Sequence, residues 1–186
     1  MPKVTIRVEG TIAEFAYKGI QARRWTLFPY APEVKYENLI YVVPIYRVSI
    51  VGKDQSFAAI RFGLNARRIG DGPKKKLCDV GLFKEQTHTC RWLPDYKLHS
   101  VEFDAKGAWK ITGSFLIHAG SPRHDMPFGS FGCIEIIGQD EWTRFVTTVE
   151  SAGGMPSAML SQKGLVSCVI KPPKDQPWAE LWLRGK

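Results

Sequence analysis

Apolar and polar positions alternate in short runs through the first third of the chain. Residues 3–8, 11–17, 24–30, 39–43, 46–51 and 57–62 are rich in β-branched and aromatic side chains and are bounded by Gly, Pro, Asn or Asp. The pattern predicts strands, and no sustained helical periodicity interrupts it. Residues 65–76, NARRIGDGPKKK, combine Gly, Pro and charge and predict a solvated loop. Residues 77–100 are irregular, with one short strand among them.

Residues 109–118, WKITGSFLIH, predict one continuous strand. Trp109, Ile111, Phe115 and Ile117 fall on one face with Gly113 in register. Lys110, Thr112, Ser114, Leu116 and His118 fall on the other, so His118 ends the strand on its more polar face. Residues 119–132, AGSPRHDMPFGSFG, hold three Gly and two Pro and predict a loop. A strand resumes at 133–136, with Cys133 and Glu135 on one face and Ile134 and Ile136 on the other. One helix follows: Asp140 is its expected N-cap, and Trp142, Phe145, Val146 and Val149 recur at helical spacing. Gly153 and Gly154 stop it. Strands return at 165–170 and 180–183 around the turn KPPKDQP. Strands outnumber the helix so heavily that the fold class is mainly β.

Composition narrows the options. The chain has 186 residues, 44% apolar and 24% charged, which excludes a disordered or collagen-like chain. No break in composition marks a linker, so residues 1–186 are expected to form a single domain. The longest apolar run, 39–45, is broken by Pro44 and predicts no membrane-spanning helix. The opening MPKVTIRVEG has no signal-peptide pattern, so synthesis in the cytoplasm without a cleaved leader is expected. Cys78, Cys90, Cys133 and Cys168 form no CxxC and no zinc spacing. His88, His99, His118 and His124 form no HExxH, and no metal site is predicted. The segment GDGPK at 70–74 lacks the spacing of a phosphate loop. Lys and Arg number 26 against 18 Asp and Glu, a net charge of +8, which points to an anionic partner.

The chemistry concentrates around residues 118–135. A His ends one strand and a Cys begins the next. If the two strands are neighbours, imidazole and thiol converge on one face, as a cysteine nucleophile and its general base require. Gly132 lets a substrate approach the backbone, and the N–H groups of Gly132 and Cys133 suit an oxyanion hole. The imidazole's second nitrogen needs an acceptor: a backbone carbonyl near Ala119 or Gly120, or the side chain of Asp125. A Cys at a strand start is otherwise ordinarily a small buried hydrophobe.

The segments IHAG at 117–120 and SFGCI at 130–134 resemble the active-site signature of the L,D-transpeptidase catalytic domain. The resemblance covers 109–170 and treats 1–108 as a β-rich N-terminal part. It implies a β-sandwich or barrel with one short helix after the catalytic strand. It implies Cys133 as nucleophile, His118 as base, and Ser130, Gly120 and Gly132 as residues shaping the loop and oxyanion site. Two positions depart from the pattern. Phe131 stands where a His usually precedes Gly-Cys. Glu135 stands where an Arg usually follows the Cys, and a carboxylate on that face raises the thiol's pKa unless it is turned away or paired. Phe131 and Glu135 would both face substrate, and Arg123 could replace the missing cation. The implied substrates are peptidoglycan stem peptides, cleaved through an acyl-thioester without metal or organic cofactor. Water as acceptor gives L,D-carboxypeptidase activity, a D-amino acid gives exchange, and a second stem gives a cross-link. The resemblance extends to antibacterial effectors of type VI secretion, which implies a secretion-apparatus component and a cognate immunity protein as partners, with action in the bacterial periplasm; a phage lysis or processing protein is the alternative. The positive charge then suits an anionic envelope better than nucleic acid. The competing expectation is a non-catalytic basic β-barrel module that binds nucleic acid or another polyanion through Arg67, Arg68, Lys74, Lys75 and Lys76.

Overall fold

Alternating Val, Ile, Phe and Tyr side chains need a second layer to bury against, and here a single curled sheet and two helices supply it. A computed structural model of the protein describes residues 3–18, 39–60, 86–97, 106–113, 115–120, 133–170 and 180–183, with the backbone alone at 10–18, 39–45, 86 and 180–183. The elements are β1 (Val4–Lys18), β2 (Leu39–Ile50), β3 (Ser56–Ile60), β4 (Gln86–Thr89), β5 (Arg91–Leu93), β6 (Ala108–Thr112), β7 (Phe115–Ala119), β8 (Ile134–Ile136), α1 (Glu141–Gly153), α2 (Ser157–Gln162), β9 (Val166–Ile170) and β10 (Glu180–Leu183).

Nine strands follow one path, β4-β9-β1-β2-β3-β8-β7-β6-β5, and β10 pairs with β2 beside that path. The β1–β9 and β7–β8 pairs are parallel and the others antiparallel. The two edge strands, β4 and β5, are consecutive in the chain and separated by Cys90 alone. That junction draws the edges together, so the mixed sheet is nearly closed and barrel-like. The Cys90 N–H donates to the Val166 carbonyl at 2.9 Å, and the Trp92 N–H to the Ser161 hydroxyl at 2.8 Å, which pins the junction to β9 and α2.

One face of the sheet forms the core. Val4, Ile6 and Val8 of β1, Val48 and Ile50 of β2, Phe57 and Ala59 of β3, Ile134 and Ile136 of β8, Ile117 of β7 and Trp109 of β6 are all buried there. Helix α1 lays Trp142, Phe145 and Val149 on this cluster. Phe145 meets Phe57 edge-on at 5.4 Å, and Trp142 stacks against Phe145 at 5.5 Å and Trp92 at 6.3 Å. Each such aromatic pair adds about 0.5–1.5 kcal/mol beyond its buried area.

Several expectations need correction. Residues 109–118 are a hairpin, not one strand. Gly113 takes φ 51° in the turn, a conformation that glycine adopts without steric cost, and Trp109 then stands opposite Ile117. His118 lies on the expected, more polar face, but that face is covered at this end: His118 is 1% exposed, and Leu116 beside it is buried. The expected strands 3–8 and 11–17 are one strand, β1, with register shifts at Val8/Thr11 and Thr11/Ala13. Likewise 39–43 and 46–51 are one strand, β2. Pro44 is tolerated because β10 pairs with Leu39 to Val42 and β3 with Tyr46 to Ser49, so the proline falls between the two partners on that side. Residues 86–93 hold two short strands where one was expected. Two helices, not one, follow β8. Asp140 occupies the N-cap of α1 in a left-handed conformation, yet its side chain caps nothing and instead accepts from Gln139 at 3.2 Å. The expected strand 24–30 and loop 65–76 lie outside the described residues.

Candidate functional site

The parallel pairing of β7 and β8 sets the site. Its register places Ile117 beside Ile134, His118 beside Glu135, and Ala119 beside Ile136. Paired residues share a face, so the isoleucines enter the core while His118 and Glu135 lie together on the second face of the sheet. Cross-strand partners extend the row: Leu93 pairs with Ala108, Ala108 with His118, and Glu135 with Ile60. Cys133, immediately before β8, belongs to the same face as Glu135. The chain therefore brings His118, Glu135 and Cys133 onto one face of two adjacent strands. Glu135, and not Cys133, is the residue directly across from His118, because the strands run parallel and the thiol lies two residues earlier on β8's side.

His118 has a defined orientation. Nδ1 lies 2.7 Å from the Ala119 carbonyl oxygen, which only accepts, so Nδ1 carries a proton and Nε2 is the nitrogen available to act as a base when the ring is neutral. This is the backbone carbonyl that a base in this position requires. Nε2 in turn faces Glu135 Oε1 at 3.9 Å. Glu135 is 1% exposed, its Oε2 has no hydrogen-bond partner among the described residues, and burial pushes its carboxyl well above the usual carboxylate range. The Cys133 thiol is half-buried and its pKa is raised, first by burial and then by the Glu135 charge, while a backbone hydrogen bond from Leu116 pulls the other way.

A fourth residue joins them that sequence reasoning missed. The Tyr96 ring lies 5.9 Å from the His118 ring, tilted by 47°. Its phenol is pushed up to about 12, by burial first and then by the proximity of Cys133 and Glu135. Tyr96 follows β5, and its carbonyl accepts the Gly107 N–H at 2.9 Å at the start of β6, so the β5–β6 pairing holds the ring over the site. No local signal marks Tyr96, because only that long-range pairing brings it to His118.

Gly120 is buried, and its N–H donates to the Ile136 carbonyl at 2.7 Å. A Cβ at this position would lie 2.9 Å from Glu135 Cβ and 3.0 Å from the Ile136 oxygen. The described role of Gly120 is thus to let the chain leave β7 across the Glu135 side chain. Arg123, Ser130, Phe131 and Gly132 lie outside the described residues, as do Asp125, His99, His124, Cys78 and the basic cluster at 65–76. Among the described residues no group of three His, Cys, Asp or Glu could hold a metal ion, and no helix is long and apolar enough to cross a membrane.

In chemical terms the site combines a thiol, an imidazole with Nδ1 on a backbone carbonyl, a buried carboxyl whose pKa is raised, and a phenol that stays protonated. That set could supply a nucleophile, a base and a proton donor in a largely dry space. Comparison with protein-family models, with curated proteins and with solved structures finds no match to this chain.

Proposed function

We propose that this protein is a cysteine-dependent acyl-transfer enzyme of the L,D-transpeptidase type, acting on peptidoglycan stem peptides. The observation that carries the proposal is the placement of Cys133 and His118 on one face of adjacent strands, with Nδ1 of the imidazole bonded to a backbone carbonyl so that Nε2 is the nitrogen that can serve as the base. The segments IHAG and SFGCI, which resemble the signature of that enzyme family, supply the substrate class. The barrel-like sheet is then an L,D-transpeptidase-like domain.

Cys133 Sγ attacks the carbonyl of the L-to-D bond that follows the diamino acid. The thiol proton passes to His118 Nε2, and the tetrahedral intermediate collapses as the amine of the departing D-amino acid takes that proton. The product is an acyl-thioester on Cys133. Water, a D-amino acid or the side-chain amine of a second stem then attacks the thioester, giving hydrolysis, exchange or a cross-link. Because burial raises the thiol's pKa, the resting group is the thiol, and its proton leaves as attack proceeds rather than beforehand. Delivery to the periplasm by a type VI apparatus, and an immunity protein that covers the Cys133 cleft, extend the proposal on the strength of the same resemblance.

The test is mass spectrometry of purified tetrapeptide muropeptides incubated with wild type and with Cys133→Ser. Loss of the terminal D-Ala, its exchange, or dimer formation, each absent in the variant, supports the proposal. Unchanged muropeptides with the wild type overturn the substrate assignment.

A further inference from the structure

We propose that Glu135 is a positioning residue that shares a single proton with His118, holding that proton on its own carboxyl and so keeping the imidazole neutral beside Cys133. The inference deepens the cysteine-enzyme reading and rests on it for its functional meaning.

The geometry leads to it in three steps. First, Glu135 and His118 face each other across the parallel ladder, 3.9 Å apart, and each is 1% exposed. A dry site strongly disfavours a net charge. The pair is net neutral only when it holds one proton beyond the Nδ1–H, as Glu-COOH with imidazole or as Glu-COO⁻ with imidazolium. Second, the Nδ1–H bond to Ala119 turns Nε2 towards Glu135, so the two groups that compete for the proton face each other. Third, the surroundings favour the uncharged form. Among the described residues, the titratable groups that face Glu135 are His118 from β7, Tyr96 from the segment after β5, and Cys133 immediately before β8. Neighbouring β3 contributes Ile60 and, through His118, β6 contributes Ala108, neither of which titrates. None of these supplies a fixed cation to hold a carboxylate, and burial favours the acid.

The consequence is a charge gate on the thiol. While Glu135 keeps its proton, ionisation of Cys133 meets no carboxylate. Once Glu135 ionises, its charge opposes the thiolate two residues away on the same face. Proton transfer from the thiol to Nε2 then leaves a thiolate that faces an uncharged acid and not a second anion.

Two measurements on the whole chain test this. The first is the rate of Cys133 alkylation by iodoacetamide, read by peptide mass spectrometry from mildly acid to alkaline pH, in wild type and in Glu135→Gln. The amide keeps the shape and supplies an N–H donor in place of the O–H but cannot ionise. At pH values above the titration of Glu135 and below that of Cys133 the variant is expected to alkylate several-fold faster, because more of its thiol is ionised. The second is the ¹⁵N NMR spectrum of wild-type His118 at neutral pH, where a neutral Nδ1–H tautomer is expected. Superimposable alkylation profiles overturn the proposal, and so does an imidazolium spectrum for His118. Neither readout uses a substrate. If muropeptides prove inert while the alkylation profiles separate, the proton arrangement stands and the substrate assignment fails.

Discussion

Glu135 stands directly across the parallel β7–β8 ladder from His118, with Oε1 3.9 Å from Nε2 and both side chains shut off from water. A buried carboxyl thus has the candidate base as its cross-strand neighbour. Its titration must therefore appear in stability. The folded-state pKa of Glu135 lies above its unfolded value, so over that interval the native state binds more protons than the unfolded chain. The contribution is fully present below the ordinary glutamate range and is lost as pH rises through the raised value. Wild type is expected to lose stability over that window, and Glu135→Gln to lose less of it. Urea unfolding followed by circular dichroism at several pH values measures the difference, and parallel curves for the two proteins would refute it.

Cys133 is the half-buried thiol of the three whose surroundings are described, whereas Cys90 is 2% exposed and Cys168 fully buried. A brief treatment of the native protein with iodoacetamide is expected to modify Cys133 ahead of both. Peptide mapping reads the order directly. Cys133→Ser is expected to lower turnover by at least about 10³-fold, since a hydroxyl is a far poorer nucleophile in a site built around a thiol. Retention of turnover by the serine variant would mean that another group does the chemistry.

The alternation of apolar residues was enough to find most strands, because burial against one core imposes a period of two whatever the partner strand. It also assigned the core face of Trp109 and Ile117 correctly while misreading their connection. Residues opposed across the β6–β7 hairpin, such as Trp109 and Ile117 or Lys110 and Leu116, are an even number of positions apart, so a hairpin and one long strand have the same pattern. Gly113, the residue that decides between them, was present in both interpretations. The burial of His118 was not legible for a related reason. Its face of the sheet is covered by chain from elsewhere, Tyr96 among it, and local polarity carries no record of that cover. Parallel rather than antiparallel pairing of β7 with β8 is also a long-range fact. It decides that Glu135 and not Cys133 is opposite His118. Helix α2, SAMLSQ, is shorter than two turns and too brief to establish a helical period.

Gly107 offers a test of how the aromatic layer supports the site. It has φ 86°, and a Cβ there would lie 2.3 Å from the Trp92 ring, which itself packs on Trp109 at 5.1 Å. Gly107→Ala must either move the indole or bend β6, with the strained backbone added. The expected loss is about 2–4 kcal/mol, measured as a shift in the urea midpoint at constant m-value. Because the Gly107 N–H also holds the Tyr96 carbonyl, the variant should displace Tyr96 and with it the His118 environment.

Gly120→Ala acts on the opposite end of β7. The added methyl would meet Glu135 Cβ at 2.9 Å and the Ile136 oxygen at 3.0 Å, neither of which is the movable end of a flexible side chain. A loss of about 1–3 kcal/mol is expected from this overpacking. The pH profile of Cys133 alkylation should change along with it, because the Glu135 side chain has to shift. A stability loss that leaves the alkylation profile intact would show that Gly120 supports the strand pair without touching the site's electrostatics.

Tyr96→Phe separates the hydroxyl from the ring. The ring covers His118, and its tilted packing should survive the substitution, so folding at neutral pH should change by less than about 1 kcal/mol. The hydroxyl is the part with chemical consequence. Burial and the nearby Cys133 and Glu135 hold its pKa at about 12 against an ordinary 10.0, so the phenol remains a proton donor wherever the thiol is active. The sign follows from linkage: the folded state keeps the proton that the unfolded chain releases, so the Tyr96 contribution is present below the unfolded value and is lost as pH rises towards about 12. Wild type should therefore lose stability on that alkaline limb more steeply than Tyr96→Phe. In an ultraviolet titration, one tyrosine should ionise late in wild type and be missing from the variant. If the hydroxyl donates to the developing oxyanion, Tyr96→Phe lowers kcat with little change in KM, by about 10²-fold for one lost donor. An unchanged kcat would confine Tyr96 to shielding His118 from water.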